Sequence, residues 1–289
     1  MRRLLVCCVV ALLPTACSLR NLAIDKIGDS IAAGGTTFSS DDDPDLVEEA
    51  LPFSLKFMES LLAERPDHRP LLLAAATGFT QYSYGWVDGK VPEVMAVDVH
   101  AGEELQQRAR RLYLRARDYG LRGLGTSIEE LRRDPARLRR TRRENVPLLY
   151  WTASAWALAI ARSKDDPETV ADLPIVESLI RRAAELDPDR NSGAIESFLI
   201  TWEAQYAARA RAHFERAVQL SQGQLASPYV ALAEEVCVPA QDRAEFRTLL
   251  ETALRIDTNA RPEWRLQNIL AQRRAASLLE HIDDYFLEE

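Results

Sequence analysis

The sequence predicts an all-α protein, and three observations support this prediction. The 289-residue chain contains only twelve glycines, and its 47% hydrophobic and 28% charged residues are typical of a globular protein rather than a disordered one. Alanine, leucine, arginine and glutamate dominate the composition, and these residues favour helices. No two alternating apolar runs flank an Asn-Gly or Asp-Gly pair, as a β-hairpin would require.

Spacing within the chain indicates how the helices are arranged. The stretches ELDPD and RIDTN each end a predicted helix, and Pro188 and Thr258 within them lie seventy residues apart. Between them, Ala210, Phe214 and Ala217 have the A-x3-F-x2-A spacing of the tetratricopeptide repeat, whose length is about 34 residues. We therefore expect about 10–12 helices in degenerate tetratricopeptide-like hairpins, stacked into a solenoid-like body.

The first 16 residues are expected to be an export signal. Two arginines precede an apolar run of about ten residues, too short to remain as a membrane span. Cys17 follows, which resembles the lipoprotein box of bacteria, although Pro14 stands where that pattern prefers leucine. We expect Cys17 to be acylated, and plain secretion is the alternative.

The rest of the chain divides into two predicted parts. Residues 17–43 are expected to be a lipidated N-terminus and a flexible tether, because they are rich in Gly, Ser, Thr and Asp. Residues 44–289 are expected to form one helical domain, which begins with Asp43 as N-cap and Pro44 in the first turn. We expect a loop at 88–99 and helices at 44–65, 69–87, 101–119, 127–143, 146–163, 167–186, 191–207, 208–221, 228–237, 240–256 and 262–286.

Residues 145–161 contain no charged side chain and include two tryptophans. As a helix they would be about 25 Å long, against about 30 Å for the hydrocarbon layer of a bilayer, which disfavours a membrane span. We favour a structural helix that is buried on all sides. The remaining alternative is a helix with one face packed and the other lining a cavity.

Arginine is concentrated in residues 108–143, with thirteen arginines and four acidic side chains. We interpret most of these arginines as solvated helix faces that pair with acidic neighbours; the alternative is a docking surface for an acidic partner or anionic headgroups. Loss of Arg2 and Arg3 with the signal would leave 34 of the 36 basic side chains against 44 acidic ones, a balance that disfavours nucleic acid as a partner. The partner-docking candidates are Arg132, Arg133, Arg137, Arg139 and Arg140.

We expect no cofactor, no metal and no catalytic centre. The four histidines are scattered singly, so no zinc site is predicted. The stretch DDDPD at 41–45 fits the D-D-x-x-D pattern with which all-α prenyl-diphosphate enzymes hold magnesium. Pro44 places these acids at a helix start, where they favour the helix dipole, so a metal-dependent enzyme is the weakest alternative. We interpret Cys237 as a buried hydrophobic residue.

Aromatic side chains are the main candidates for a binding surface. Phe79, Tyr82 and Trp86 are spaced three and four residues apart, which places them on one helix face. Tyrosine and tryptophan combine apolar bulk with a polar group and suit amphipathic ligands, although such a stripe more often fills a core. The candidates for lining a ligand cavity are Phe79, Tyr82, Trp86, Tyr150, Trp151, Trp156, Trp202 and Tyr229.

Longer stretches resemble one protein family over residues 38–289. Two of them, VPLLYWTASAWALAI and SKDDPETVADLPIVESLIRRAAELDPD, stand in the middle of the chain, and PEWRLQNILAQRRAASLLEHIDDYFLEE ends it. Together with others in the same order, they resemble the T component of TRAP (tripartite ATP-independent periplasmic) transporters, the TatT family. The resemblance implies an envelope lipoprotein of tetratricopeptide-like helices that partners a periplasmic solute-binding protein and is not itself the permease.

We therefore expect a non-enzymatic accessory component that docks this solute-binding protein and holds or passes a hydrophobic or amphipathic organic solute. The alternative is a general tetratricopeptide-like scaffold for envelope assembly, without a small-molecule site. The expected location is the periplasmic face of the bacterial envelope, reached through the N-terminal lipid. Ser18 after Cys17 favours the outer membrane over the inner one. Self-association is left open.

The acyl anchor is testable by fractionation. Cys17→Ala should move the chain from the membrane fraction to the soluble fraction, because the attachment atom is lost. Processing of the wild type should be sensitive to globomycin. Cys8→Ala, which leaves Cys17 in place, should stay with the membrane. An unchanged membrane fraction for Cys17→Ala would contradict the anchor.

Overall fold

The computed structural model describes residues 22–163 and 166–287. Helices and turns make up these ranges, and no strand occurs within them, which confirms the all-α prediction. The predicted signal and the predicted acylation site at Cys17 lie outside the described residues.

The helices follow one another through short connections. Within the described ranges, the helices Arg69–Tyr82 and Ser227–Leu232 each continue into a π-helical turn, over Ser83–Asp88 and Ala233–Cys237. Single 3₁₀ turns lie at Pro135–Arg140, Arg143–Asn145, Arg190–Ser192, Pro262–Trp264 and Ile282–Asp284. The α-helices are α1 (22–33), α2 (Gly35–Ser39), α3 (Pro44–Glu64), α4 (Arg69–Tyr82), α5 (Val91–Val97), α6 (Val99–Leu124), α7 (Ile128–Arg133), α8 (Val146–Ala161), α9 (Pro167–Val170), α10 (Leu173–Leu186), α11 (Ala194–Trp202), α12 (Ala207–Ser221), α13 (Ser227–Leu232), α14 (Val238–Ala240), α15 (Arg243–Leu254) and α16 (Arg265–Glu280).

Several helix ends follow directly from the local sequence. The side chain of Asp43 accepts the backbone N–H groups of Asp45 and Leu46, at 3.1 and 3.0 Å, so Asp43 is the N-cap of α3 as predicted. The helix predicted at 127–143 instead ends at Arg133. Pro135 has no N–H to continue the α-helical ladder, and the chain goes on as a 3₁₀ turn.

The structure differs from the prediction of a tether and of a loop. The composition of residues 17–43 predicts flexibility, whereas α1 and α2 are helical in the described part of this segment. Ile24, Ile31 and Phe38 pack against the core and explain the difference, because their seven-residue spacing forms an apolar stripe that composition alone does not reveal. The loop predicted at 88–99 likewise contains α5, whose first residue, Val91, is buried.

Three hydrophobic clusters follow one another along the chain. The first is formed mainly by α3, α4, α6 and α8, the second by α6, α7, α8, α10 and α11, and the third by α11 to α16. Ala210 is fully buried in the third cluster, and Phe214 packs edge-on against Tyr229, with ring centroids 5.2 Å apart. Ala217 is fully buried as well. The tetratricopeptide-like stacking itself stays a prediction.

Helix α8 joins the first two clusters. It contains the charge-free stretch, and it packs against α4, α6 and α10. Trp156 is fully buried at its centre, while Tyr150 and Trp151 are half-buried. In the part of the chain that the structure describes, no helix combines the length and the hydrophobicity that crossing a membrane requires. The helix is therefore a core element, but the side that carries Tyr150 and Trp151 is half-buried, so it is not buried on all sides as predicted.

Helices α6 and α8 run antiparallel and in very close contact. Arg110 lies beside Ser163, Gly120 beside Thr152, and Gly123 beside Leu148, so residue numbers rise along one helix as they fall along the other. A Cβ atom on Gly120 would lie 2.1 Å from Thr152 Oγ1, far inside van der Waals contact. Glycine at position 120 is thus required for the two backbones to approach this closely.

The last long helix returns to the first one. Leu266 of α16 belongs to the first cluster, and Leu270 packs against it. Arg273 Nη1 pairs with Asp45 Oδ1 at 2.8 Å, and Arg265 Nη1 donates to the Ser40 carbonyl oxygen at 2.9 Å. The helical array is therefore closed, with α16 in contact with α2 and α3.

Substitution at the α6–α8 contact should test its role. Gly120→Ala should lower the free energy of unfolding by about 1–3 kcal/mol, because the added methyl group overpacks the contact with Thr152. Gly123→Ala is the matched control: its Cβ would meet only the end of the Leu148 side chain, which can move. Thr152→Ala should restore part of the loss in the double variant, measured by urea unfolding. Equal stability of the two glycine variants would contradict this account.

Candidate functional site

The candidate site lies where α4 meets the last helices of the closed array. The π-helical turn that ends α4 places Gly85 beside Leu270 of α16, since a Cβ atom on Gly85 would lie 3.3 Å from Leu270 Cδ1. Tyr84 of the same turn is close enough to Glu234, in the second π-helical turn, and to Arg274 of α16 for their charges to interact. Such turns occur frequently at functional sites, because they displace side chains from the regular helical positions.

Arg274 and Glu234 tie α16 to the second π-helical turn. Both Nε and Nη2 of Arg274 approach Glu234 Oε1, at 3.1 and 2.5 Å, and both side chains are about two-thirds buried. The pair lies close enough to Tyr84 for both charges to act on its hydroxyl.

The ring of Tyr84 is exposed in a charged environment. Its side chain is 64% exposed. Burial by the surrounding protein atoms and the negative charge of Glu234 nevertheless raise the pKa of Tyr84 to about 12, against an opposing effect of Arg274. The ring is thus exposed at the surface, while its hydroxyl lies among protein atoms and close to the charged pair of Glu234 and Arg274.

A buried polar cluster supports the first π-helical turn from behind. Asp88 is 4% exposed; its Oδ2 accepts the hydroxyl of Tyr113 at 2.9 Å, and its Oδ1 lies 2.8 Å from Arg162 Nε. Burial and the charge of Asp88 raise the pKa of Tyr113 well above its usual range. The buried carboxylate is thus compensated by a donor on α6 and a cation just after α8, which fixes the turn that presents Tyr84.

A second polar position lies against the half-buried side of α8. The Arg190 guanidinium lies over the ring of Tyr150, with Cζ 5.8 Å from the centroid, and burial lowers the pKa of Arg190. Arg190 Nε is buried and makes no hydrogen bond to any described residue. The next residues, Asn191, Ser192 and Gly193, all have positive φ angles, a backbone conformation that is costly outside glycine and often found at functional sites.

The predicted aromatic candidates fall into separate clusters. Phe79, Tyr82 and Trp86 belong to the first cluster, where Tyr82 and Trp86 stack with centroids 6.3 Å apart. Tyr150, Trp156 and Trp202 belong to the second, and Tyr229 to the third. Trp151 packs edge-on against Tyr150, at 5.1 Å. The structure therefore does not gather the eight side chains at one place, and their role in a cavity stays a prediction.

Comparison with known proteins identifies the family of this chain. The family described as TRAP transporter T-component (TAtT) matches residues 40–286, which is most of the chain. The chain belongs to this family. An uncharacterized protein of Treponema pallidum (strain Nichols) is 30% identical to it over 319 aligned positions, which cover 98% of each chain.

Family membership settles the general role. The chain is an accessory component of a TRAP transporter system, in a family that serves transport and not enzymatic catalysis. It also indicates a protein of the bacterial cell envelope. The resemblance noted from the sequence is thereby confirmed.

The arginine-rich segment of this T component is mostly paired internally. Arg132 forms a bidentate pair with Asp172, at 2.7 and 3.0 Å, and Arg137 lies 3.1 Å from Glu130. Within the described ranges, Arg133, Arg139 and Arg140 are exposed and form no ion pair. Two of the five docking candidates thus have structural partners, and three have free guanidinium groups.

The acidic run and the lone cysteine have structural roles. Asp43 caps α3, and Asp45 pairs with Arg273, so two of the acids at 41–45 serve the helix start and the closure of the array. No cluster of three or more metal-binding side chains occurs among the described residues. Cys237 is buried as predicted, and burial and the charge of Glu245 raise the pKa of its thiol to about 12.

The most informative residues were not among the sequence candidates. Tyr84 lies in the aromatic stretch YSYGW, but the α-helical spacing of Phe79, Tyr82 and Trp86 excludes it from their face. The π-helical turn changes which side chains point outward, and no sequence signal indicated this turn. Arg274, Glu234 and Asp88 are brought together only by long-range contacts.

The ionisation of Tyr84 should be visible in an alkaline titration. The difference in absorbance at 295 nm between the wild type and Tyr84→Phe should report a tyrosine with a pKa of about 12. Because the pKa in the folded state is raised, this side chain contributes stability below pH 10 that is lost as the pH rises from 10 through 12. Tyr84→Phe should therefore lose less stability over this range.

Glu234→Gln tests whether the charge of Glu234 raises the pKa of Tyr84. Removal of the negative charge should shift the titration of Tyr84 towards its ordinary value, near 10. A difference titration centred near 10 in the wild type would contradict the crowded environment described for this ring.

Proposed function

We propose that this T component docks the periplasmic solute-binding protein of its transporter and holds or passes an amphipathic organic solute. The observation that carries the proposal is the solvent-accessible yet crowded position of Tyr84, at the junction of the closed helical array in a transport accessory protein. A rigid scaffold alone would not need an exposed aromatic ring there.

The chemistry of the site fits a solute with an apolar body and a polar or anionic group. Tyr84 offers an exposed aromatic face and a protonated phenol, and Arg274 nearby offers a guanidinium group that it shares with Glu234. Trp86 on the same turn has a buried indole N–H without an acceptor among the described residues. A ligand acceptor that reached this N–H would offset a desolvation cost of about 1–3 kcal/mol.

Arg190, which lies beside Tyr150 of α8, is a second group that attracts anions. Its guanidinium is partly desolvated and stacks on Tyr150, and no described acid pairs with it at salt-bridge distance. Desolvated arginines over aromatic rings suit planar carboxylates, because the guanidinium fork matches the two oxygens. Together with Tyr84 and Arg274, this favours an organic anion as the solute class.

The docking surface is proposed at α7 and the 3₁₀ turn that follows it. Arg133, Arg139 and Arg140 leave three guanidinium groups unpaired within the described part of the chain. Exposed charges of one sign steer an oppositely charged partner and set the rate of association. We therefore propose that the solute-binding protein presents an acidic patch to this surface.

The envelope location is proposed to depend on acylation of Cys17, with the outer membrane favoured by Ser18. The alternative function is a general scaffold for envelope assembly with no small-molecule site. This alternative is favoured by the full burial of Trp156 and the near-complete burial of Phe79, Tyr82 and Trp86, because such side chains fill a core. The two functions differ in whether a small molecule is bound.

Native mass spectrometry of the processed chain, with and without the solute-binding protein encoded beside it, should separate them. We expect a heteromeric complex and a co-purifying organic anion. Arg133→Glu/Arg139→Glu/Arg140→Glu should weaken the complex by about tenfold or more, because three attractive charges become repulsive. Arg274→Ala should reduce solute occupancy without loss of the complex.

The matched control for the docking surface is Arg247→Glu/Arg255→Glu, which changes two exposed arginines at and just after α15. This control should bind the partner as the wild type does. A complex that is equally weakened by both sets would indicate general charge repulsion rather than a specific surface. An empty mass and no complex across concentrations would favour the scaffold.

A further inference from the structure

Helix α3 carries an exposed apolar stripe on its outer side. Leu46, Ala50, Phe53 and Phe57 are spaced four, three and four residues apart and so lie on one helix face. Leu46 is 56%, Phe53 75% and Phe57 41% exposed. The two phenylalanine rings stack in parallel, with centroids 6.2 Å apart. The core of the protein makes no use of this face, because the buried residues of α3 lie on the opposite side.

We propose that this stripe rests in the surface of the lipid bilayer to which the N-terminus is anchored. Aromatic and leucine side chains on the outer face of a helix enter the boundary between headgroups and acyl chains, at a depth of about 5–10 Å. The proposal rests on the acylation of Cys17 that belongs to the proposed function.

The path of the chain places the anchor at the C-terminal end of α3, which is closer to Phe57 than to Leu46. Helix α1 is fastened to the end of α3, where Asp25 Oδ2 lies 2.9 Å from Arg65 Nη1. Leu22 and Ile27 of α1 are themselves exposed. Cys17 precedes Leu22 by five residues, so even a fully extended chain allows at most about 18 Å between them. An acyl group on Cys17 therefore holds this end of the protein against the membrane.

The charges beside the stripe are mixed. On α3 itself Lys56 pairs with Glu59, and Glu49 and Glu64 are exposed. The outer face of α6 forms an open groove of about 440 Å³, lined by Arg111, Arg115, Arg122 and Asp118. The contact with the bilayer is therefore carried by the apolar stripe and the acyl chain, and only the arginines of this groove add electrostatic attraction to acidic lipids.

The size of the stripe favours a bilayer over a protein. A stable protein interface buries about 800 Å² on each partner, with roughly 20–30 residues a side. The stripe offers three large side chains on one helix, far fewer than such an interface needs. A bilayer contact can be this small, because the acyl anchor already confines the protein to the surface and makes the second contact intramolecular.

Depth-dependent quenching tests the proposal directly. The full chain, expressed with its signal and purified from membranes, would carry Leu46→Cys labelled with nitrobenzoxadiazole, in vesicles of phosphatidylcholine and phosphatidylglycerol with brominated acyl chains. Cys237 is fully buried and should not react. We expect loss of most of the label fluorescence. The matched control is Tyr206→Cys, a position of similar exposure (53%) in the second half of the chain, whose label should keep its fluorescence.

Phe53→Ser/Phe57→Ser should abolish quenching of the Leu46 label, while flotation with the vesicles persists through the acyl chain. The mass of the N-terminal peptide reports acylation separately. An acylated chain that floats with an unquenched Leu46 label would overturn this inference and leave the anchor intact. An unacylated chain would overturn the anchor and this inference together. Cross-linking of two copies through Leu46→Cys without quenching would assign the stripe to self-association instead.

Discussion

The close antiparallel contact between α6 and α8 is the constraint on which the rest of the structure depends. Helix α8 carries no charge and buries side chains in two of the three hydrophobic clusters, and α6 can approach it only where glycine replaces a larger residue. A helix without charged side chains requires neighbours that bury most of its surface. Helices α4, α6 and α10 supply these neighbours, and so the order of the first half of the array is set around α8.

Closure of the array brings α16 to the π-helical turn that carries Tyr84, and this contact forms the candidate site. Without the return of α16 to α3, the π-helical turn after α4 would face open solvent, and Tyr84 would titrate as an ordinary exposed tyrosine. The salt bridge between Arg273 and Asp45 is exposed and contributes little by itself. The packing of Leu266 and Leu270 on the first cluster is the larger contribution, because apolar burial does not depend on salt. The site thus depends on a contact between the two ends of the helical domain.

The surface of this T component separates charges that stabilise the fold from charges that are free for partners. Most arginines of residues 108–143 contact acids, carbonyl oxygens or rings of neighbouring helices, as with the pair of Arg132 and Asp172. Arg133, Arg139 and Arg140, on the outer side of α7 and the following turn, have no such contact with a described residue. The apolar stripe of α3 is a surface of a different kind. In the functions proposed above, the stripe contacts the membrane and the free arginines contact the soluble partner, so the two contacts use surfaces of different chemistry.

The sequence by itself determined the helical class, the N-cap at Asp43, the mostly buried nature of residues 145–161, the burial of Cys237, and the family. These features depend on composition, local spacing or short-range hydrogen bonds, which are present in a linear chain. Only the tertiary structure decided that α1 and α2 pack on the core, that Arg132 and Arg137 are paired, that the eight aromatic candidates separate into clusters, and that Tyr84 meets Glu234 and Arg274. These depend on contacts between residues far apart in the chain. A π-helical turn also displaces side chains from α-helical spacing, so the periodicity that predicts a helix cannot predict which distant residues Tyr84 meets.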